Sequence, residues 1–206
     1  MHQTIAIIDY SSGNLHSVYK KLCQLKAEPF IANSPSEILS ADKIVIPGVG
    51  HFGKAMTNLK LSGAYDALNE AAVLKHIPIL GICLGMQLMA EKSEEGNATG
   101  FGWIKGNVVR FRTGHSDRFK IPQTGWNTIN IKKESRLLKG LNGQEEFYFL
   151  HSYHIEVADR KDILASTDFG YEYVSAVEKG NFFAAQFHPE KSHNAGAQIL
   201  KNFIEL

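Results

Sequence analysis

Ile77-Pro78-Ile79-Leu80-Gly81-Ile82-Cys83-Leu84-Gly85-Met86-Gln87-Leu88-Met89-Ala90-Glu91 is the stretch on which the fold turns. The apolar run over 77–82 predicts a strand buried on both faces, and residues 86–91 predict a helix. Between them a thiol stands at the apex of a sharp turn, with a glycine two positions to either side. The same layout with serine at the apex is the nucleophile elbow, whose tight turn holds the nucleophile in a strained, accessible position. A helix N-terminus beside the sulfur favours negative charge, and the thiolate is the reactive form of cysteine. Taken alone, Cys83 could equally be a buried structural thiol; its glycine flanks and strand-to-helix setting argue for the reactive reading.

Working outward, residues 4–9 form an apolar run that ends in the turn cluster Tyr10-Ser11-Ser12-Gly13-Asn14. Leu15, Val18, Tyr19, Leu22 and Leu25 then recur at helical spacing. Residues 29–32 and 43–46 read as two more strands, the second closing on Pro47-Gly48-Val49-Gly50, and residues 62–76 read as a helix before the strand at 77–82. Continuous apolar strands alternating with helices predict an α/β fold with a mostly parallel central sheet and helices on both faces. Sites in such sheets lie at the carboxyl ends of strands, where Asp9, Pro47–Gly50 and Cys83 all fall. Short strands are expected over 107–112, 126–131, 146–150, 153–157, 173–178 and 182–186, which predicts an antiparallel or mixed extension of the sheet. Residues 194–206 predict a closing helix with Ala197, Leu200 and Ile204 on one face. Residues 113–119 predict a mobile polar loop. No linker or repeat divides the chain, so one domain over 1–206 is expected.

The composition narrows the function classes. Of 206 residues 44% are hydrophobic and 21% charged, with a net charge of +1, so the chain reads as a globular protein rather than a nucleic-acid binder or a disordered tail. No window approaches a membrane span, and the N-terminus has no signal-peptide layout. Two cysteines, Cys23 and Cys83, give no disulfide framework and point to the cytoplasm. Cys23 lies in an amphipathic helix pattern and is expected as a small buried residue.

A cysteine nucleophile needs a base, an orienting group and a home for the oxyanion. His188-Pro189-Glu190 offers the first two: Pro189 stiffens the chain after a strand, holds His188 extended, and lets Glu190 return to the imidazole. Pro47-Gly48-Val49-Gly50 can present backbone N–H groups without side-chain obstruction, together with that of Leu84. Each segment alone is equally an ordinary turn; only the combination points to chemistry. His151 and His154, and His188 and His193, lack a second cysteine or carboxylate cluster at ligand spacing, so no metal is expected. No Gly-rich loop matches a phosphate or dinucleotide fingerprint, and no cofactor is expected.

Gly81-Ile82-Cys83-Leu84-Gly85-Met86-Gln87 with His188-Pro189-Glu190 resembles the triad of class I glutamine amidotransferases, and the likeness covers nearly the whole chain. It implies a flavodoxin-like α/β domain that hydrolyses glutamine through a cysteine thioester and passes ammonia to a synthase. Further stretches carry a narrower likeness: Asp9-Tyr10 with Gly13-Asn14-Leu15, Pro47 to Phe52, Ser93-Glu94-Glu95-Gly96, Ile121 to Asn127, Phe147 to Tyr153 and Gln186 to Ser192. These resemble the glutaminase subunits of imidazole glycerol phosphate synthases. That resemblance implies a heterodimer with a (β/α)₈-barrel cyclase in histidine biosynthesis. Carried over position by position, it implies Cys83 as nucleophile, His188 as acid and base, and Glu190 as its orienter. Gly50, Gln87, Glu95, Ser152 and Tyr153 match glutamine-binding positions. Asn14, Gln123, Trp126, Asn127, Tyr148 and Lys191 match the surface that meets the cyclase. Gln123 departs from the resemblance, which usually has histidine there.

Free ammonia released early would be wasted, so turnover is expected to depend on the loaded partner, with a peptide flip in 47–50, which could make or remove an oxyanion donor, as the candidate switch. Two other functions are compatible with the same residues. One is a paralogous glutaminase feeding a cyclase-like synthase in surface-polysaccharide sugar amidation. The other is a partner-independent cysteine hydrolase or an inactive binding protein, against which Gln87, Glu95 and the intact Cys83, His188 and Glu190 argue.

Overall fold

The structure, a computed structural model, describes residues 3–11, 14–113 and 119–206. Ser12 and Gly13 of the expected turn, and residues 114–118 of the expected loop, lie outside the described residues. The first half of the chain runs β1 (Thr4–Ile8), α1 (Leu15–Gln24), β2 (Glu28–Ala32), α2 (Pro35–Leu39), β3 (Lys43–Ile46), α3 (Phe52–Leu61), α4 (Ala64–Asn69), a π-helical turn (Glu70–Leu74), β4 (Ile79–Ile82) and α5 (Leu84–Leu88). The second half runs β5 (Lys92–Ser93), β6 (Ala98–Thr99), β7 (Gly106–Arg110), β8 (Gln123–Thr128), β9 (Asn130–Ile131), β10 (Glu146–His151), β11 (Tyr153–Val157), β12 (Ile163–Asp168), β13 (Glu172–Lys179), β14 (Phe182–Ala185) and α6 (His193–Ile204).

The main sheet follows the order β2-β1-β3-β4-β14-β13-β11-β7-β5-β6. From β2 to β14 every pairing is parallel; beyond it β13, β11 and β7 continue antiparallel. The α/β fold with a mostly parallel sheet and an antiparallel extension is therefore as expected. Period-two alternation splits the core: Ile5, Ile7, Val45 and Leu80 face one layer with Val18 and Leu22 of α1 and Ile199, Leu200 and Phe203 of α6. Ala6, Ile8, Ile44 and Ile46 face the other, with α2, α3, α4 and α5.

The late strand β14 returns to lie parallel beside β4, with Ala185 opposite Ile82. Two distant segments, one ending at Cys83 and the other at His188, thus leave the sheet side by side at their carboxyl ends. That is where open parallel sheets build sites.

Several local expectations are revised. The helix after the elbow is α5, only five residues long, because Ala90 and Glu91 are already bonded to Gly102 and Gly106 on the way into β5. The helix expected over 62–76 begins at Gly63 in a left-handed conformation and loosens into the π-helical turn. The strand expected over 126–131 is two: β8 pairs with β10, then the chain crosses at buried Ile129 so that β9 can join β12. α2, α3, β12 and the β5–β6 hairpin were not anticipated, although Ser34-Pro35-Ser36-Glu37 is a capping box with proline at the first helical position. Cys23 is exposed, opposite the Val18–Leu22 stripe, rather than buried. In α6 the buried stripe is Gly196, Ile199, Leu200 and Phe203, turned from the one expected.

One buried cation ties the ends of the chain to the sheet. Lys43 on β3 is 2% exposed and donates to Gln3 Oε1 at 2.7 Å and to the carbonyl of Ile204 at the end of α6. Lys43→Met keeps the volume and removes both bonds, leaving a helix-end carbonyl unsatisfied. The expected loss is about 1–3 kcal/mol, measurable as a lower urea midpoint at unchanged slope. An unchanged midpoint would show that the ammonium contributes no net stability.

Candidate active site

The elbow forms because its glycines allow backbones to touch. A Cβ on Gly85 would lie 1.8 Å from the Ile46 carbonyl oxygen, and one on Gly81 would lie 2.7 Å from that of Gly85. Only glycine admits the close packing of α5 on the end of β3. Cys83 at the apex has φ 54° and ψ −107°, a conformation that costs a non-glycine residue about 1–3 kcal/mol. Its N–H donates to the Ala185 carbonyl at 2.8 Å, which anchors the turn to β14. Its sulfur lies 3.8 Å from the Leu150 carbonyl and 3.6 Å from the side-chain nitrogen of Gln186. With α5 so short, the dipole assistance expected from a longer helix is reduced, and the electrostatics fall to the neighbouring side chains.

His188 follows β14 and is held through its backbone. Its N–H donates to the Tyr148 carbonyl at 2.9 Å, and its carbonyl accepts from Ser192 Oγ at 2.6 Å. Ser192 Oγ in turn accepts the Tyr148 N–H at 3.0 Å, so β10 fixes the position of the imidazole. His188 Nδ1 lies 2.9 Å from Glu190 Oε1, with both side chains buried. The side-chain amide of Asn14 donates to the same Glu190 oxygen. Nε2 of His188 and Oε2 of Glu190 are buried without a hydrogen-bond partner among the described residues. Burial is the largest single influence on the His188 ring and opposes its charge. The hydrogen bond and charge of Glu190, together with the nearby Cys83 sulfur, outweigh it and raise the ring to about 9.

A cavity of about 280 Å³ opens on Cys83. Gly50, Gln87, Glu95, Ser152 and Tyr153 all line it, with Val49 and Leu84; Pro122, Leu150 and His151 complete the wall. Larger clefts of about 590 and 660 Å³ are lined by other residues, away from the cysteine. Size does not single out the site here; the reactive groups do.

Within this wall several roles differ in detail from the expectation. The Gln87 nitrogen is engaged inside the protein, donating to the Tyr153 carbonyl at 2.9 Å and to Gln186 Oε1 at 3.0 Å. Glu95 Oε2 accepts the Phe52 N–H at 2.7 Å, so it caps α3 directly after the Pro47–Gly50 segment. The Leu84 N–H, an expected oxyanion donor, points to the Gly48 carbonyl at 3.4 Å. Gly50 has φ 130°, and the Tyr10 hydroxyl occupies the space beside Gly48 while donating to the Pro47 carbonyl at 2.5 Å. Tyr10 and Gln186 were not singled out from sequence, since a tyrosine in a turn and a glutamine after a strand carry no distinctive spacing.

The residues expected on the partner surface divide. Trp126 is 43% exposed, stacks on His193 at 4.8 Å and meets Tyr148 edge-on at 5.8 Å, with Lys191 over the Tyr148 ring. Trp126 and Tyr148 face each other across β8 and β10, forming an exposed aromatic patch close to Cys83 through Leu150. Asn127 donates to the Asp168 carbonyl at 2.8 Å, and Asn14 reaches Glu190, so both side chains also have work within the chain. Gln123 is not on that surface. It is 3% exposed and accepts a hydrogen bond from the Tyr173 hydroxyl at 2.7 Å, because β8 alternates and places it inward beside His151. His151, held neutral by burial with its ring pushed down to about 3, contacts the Tyr153 carbonyl through Nδ1 at 2.8 Å.

This geometry coincides with a family assignment. The model for "Glutamine amidotransferase class-I" matches residues 6–206, and the chain belongs to that family. The imidazole glycerol phosphate synthase subunit HisH of Leptospira borgpetersenii is 44% identical over 203 residues, covering 98% of this chain and all of that one. A subunit HisH 1 of Methanococcus maripaludis is 46% identical over 205 residues, covering 98% and 99%. Among solved structures, PurLQS from Thermotoga maritima superposes with a TM-score of 0.77 at 18% identity, covering 100% and 99% of the two chains. The glutaminase domain of Trypanosoma brucei CTPS superposes at 0.65 and 20%, covering 97% and 92%. These structures share the fold.

Proposed function

We propose that this chain is the glutaminase subunit of an imidazole glycerol phosphate synthase, acting as one domain that hydrolyses glutamine and delivers ammonia to a (β/α)₈-barrel cyclase in histidine biosynthesis. The observation that carries the reading is the strained Cys83, with His188 and Glu190 behind it, opening on a cavity lined by Gln87 and Glu95. The likeness to HisH subunits over their whole length supports the pathway.

The chemistry follows from the groups present. Glutamine lies in the cavity with its ammonium toward Glu95 and its amide carbon at Cys83. The thiolate attacks that carbon, and the C–N bond then breaks as the His188 imidazolium gives its proton to the leaving nitrogen. Ammonia departs and a thioester remains. Water attacks the thioester as neutral His188 takes its proton, the C–S bond breaks, and glutamate leaves. Glu190, steadied by Asn14, orients the imidazole and stabilises its charge. The oxyanion is held by N–H groups of 48–50 and Leu84. Because the Gly48 carbonyl engages the Leu84 N–H in the free chain, a peptide flip in 47–50 is a fitting switch. The Trp126–Tyr148 patch with Lys191 and Asn14 is the docking face for the cyclase.

Glutamine hydrolysis by the purified chain, with and without a histidine-pathway cyclase and its nucleotide ligand, tests this. The expected result is stimulation of roughly 10–100-fold by the loaded partner. High glutamine hydrolysis by the chain alone would refute the switch. No stimulation, with Cys83 still trapped by a glutamine-mimicking electrophile, would assign the chain to a different synthase.

A further inference from the structure

Gln186 is an unusual residue to find where it is. It leaves β14 beside Cys83, is completely buried, and a buried amide is costly unless its hydrogen bonds are made. Its bonds are made, one at each end of the amide. The nitrogen donates to Cys83 Sγ at 3.6 Å, while the oxygen accepts from Gln87 Nε2 at 3.0 Å. Gln87 Nε2 donates onward to the Tyr153 carbonyl at 2.9 Å, which also lies 2.8 Å from Nδ1 of neutral His151. A neutral imidazole can meet a carbonyl only with a proton on that nitrogen, so the carbonyl accepts twice. The amide of Gln186 cannot turn over without placing its oxygen against the sulfur and its NH₂ against the NH₂ of Gln87. The neighbours therefore lock its donor end onto Sγ.

We propose that Gln186 is a further catalytic residue, whose side-chain N–H donates to the Cys83 thiolate and aims it at the substrate carbon. This rests on the glutaminase reading of the site for its consequence in turnover, but not for its effect on the sulfur. A hydrogen bond to an ionised acceptor is stronger than one to a neutral group, so the contact favours the reactive form. It leaves His188 free to serve as proton donor rather than as sole support of the sulfur. Through Gln87 the same amide joins the nucleophile to the wall of the glutamine cavity.

Two variants separate the two ends of the amide. Gln186→Met preserves length and removes both bonds. Gln186→Glu keeps an acceptor for Gln87 but presents an oxygen to Sγ. Labelling by iodoacetamide at pH 7.5, read by peptide mass spectrometry as Cys83 relative to exposed Cys23, reports the sulfur without any requirement for glutamine binding. Thermal melts establish that each variant is folded. The Cys83/Cys23 labelling ratio is expected to fall about tenfold or more in both variants, as does the kcat of the complex. KM should rise in Gln186→Met and stay within about twofold of wild type in Gln186→Glu, since only the former loses the Gln87 bond. Wild-type labelling ratios in folded variants would overturn the proposal; a rise in KM alone would then show that Gln186 acts only through Gln87. A wild-type chain that fails to hydrolyse glutamine with any partner, yet whose Cys83 labelling still depends on Gln186, would remove the glutaminase reading and leave the role at the sulfur standing.

Discussion

Cys83→Ala is expected to reduce partner-stimulated glutamine hydrolysis by a factor of about 10⁴–10⁶, the scale on which loss of a covalent nucleophile is felt. The residual rate would reflect binding and oxyanion stabilisation alone. The same substitution carries a second, independent readout at His188. The ring stands at about 9 because Cys83 and Glu190 overcome the effect of burial. Without the sulfur the larger opposing influence gains, so the His188 titration seen by imidazole NMR should move down from that value. A histidine raised in the folded state contributes stability that is fully present below its unfolded value near 6.5 and is lost as pH rises through about 9. Cys83→Ala should therefore flatten the fall in stability between those two values. A His188 titration unchanged in Cys83→Ala would show that the sulfur and the ring do not interact in the resting chain.

Gly85→Ala is expected to be the most damaging single-methyl addition at the site. Its Cβ would meet the Ile46 carbonyl oxygen at 1.8 Å, and a backbone atom at the end of a central strand cannot move aside as a flexible side chain can. Overpacking on this scale costs about 3 kcal/mol. For a chain of this length that corresponds to a melting temperature lower by roughly 6–12 °C. The elbow must shift to relieve the contact, so folded Gly85→Ala should also lose most of its glutamine hydrolysis. Gly50→Ala is a useful contrast. A Cβ there has open space and meets only the strain of φ 130°, so its effect on stability should be smaller. A Gly85→Ala protein as stable as wild type would mean that α5 does not pack on β3 as closely as the structure has it.

Much of the fold was legible because local physics agreed with the global arrangement. β1, β3 and β4 are apolar apart from Thr4 and Lys43 at two strand starts, as strands buried on both faces tend to be, and the glycines at 81 and 85 declared the elbow before any tertiary contact was known. The elements that escaped notice have reasons of their own. α2 is a single turn whose only signal is its cap. β12 carries Ser166 and Thr167 inward, which blurs its apolar pattern, and residues 126–131 divide only because two sheets compete for them.

For the site, residue types and spacing by themselves singled out Cys83, His188 and Glu190 as candidates for one chemistry, because a tight strand-to-helix turn and a proline-stiffened strand end each leave a local mark. Only the tertiary structure decided what those groups touch. That β14 lies beside β4, and so brings Gln186 to the sulfur, follows from the order of strands in the sheet, which no local pattern encodes. That Gln123 turns inward while Trp126 stays exposed follows from the register of β8 on β10, where a shift of one residue would exchange the two faces. Asn14 reaches Glu190, and Glu95 caps α3, because chain folding makes neighbours of distant residues. Nearest-neighbour sterics and apolar periodicity are written along the chain, whereas hydrogen-bond partners across a core exist only once the core has closed.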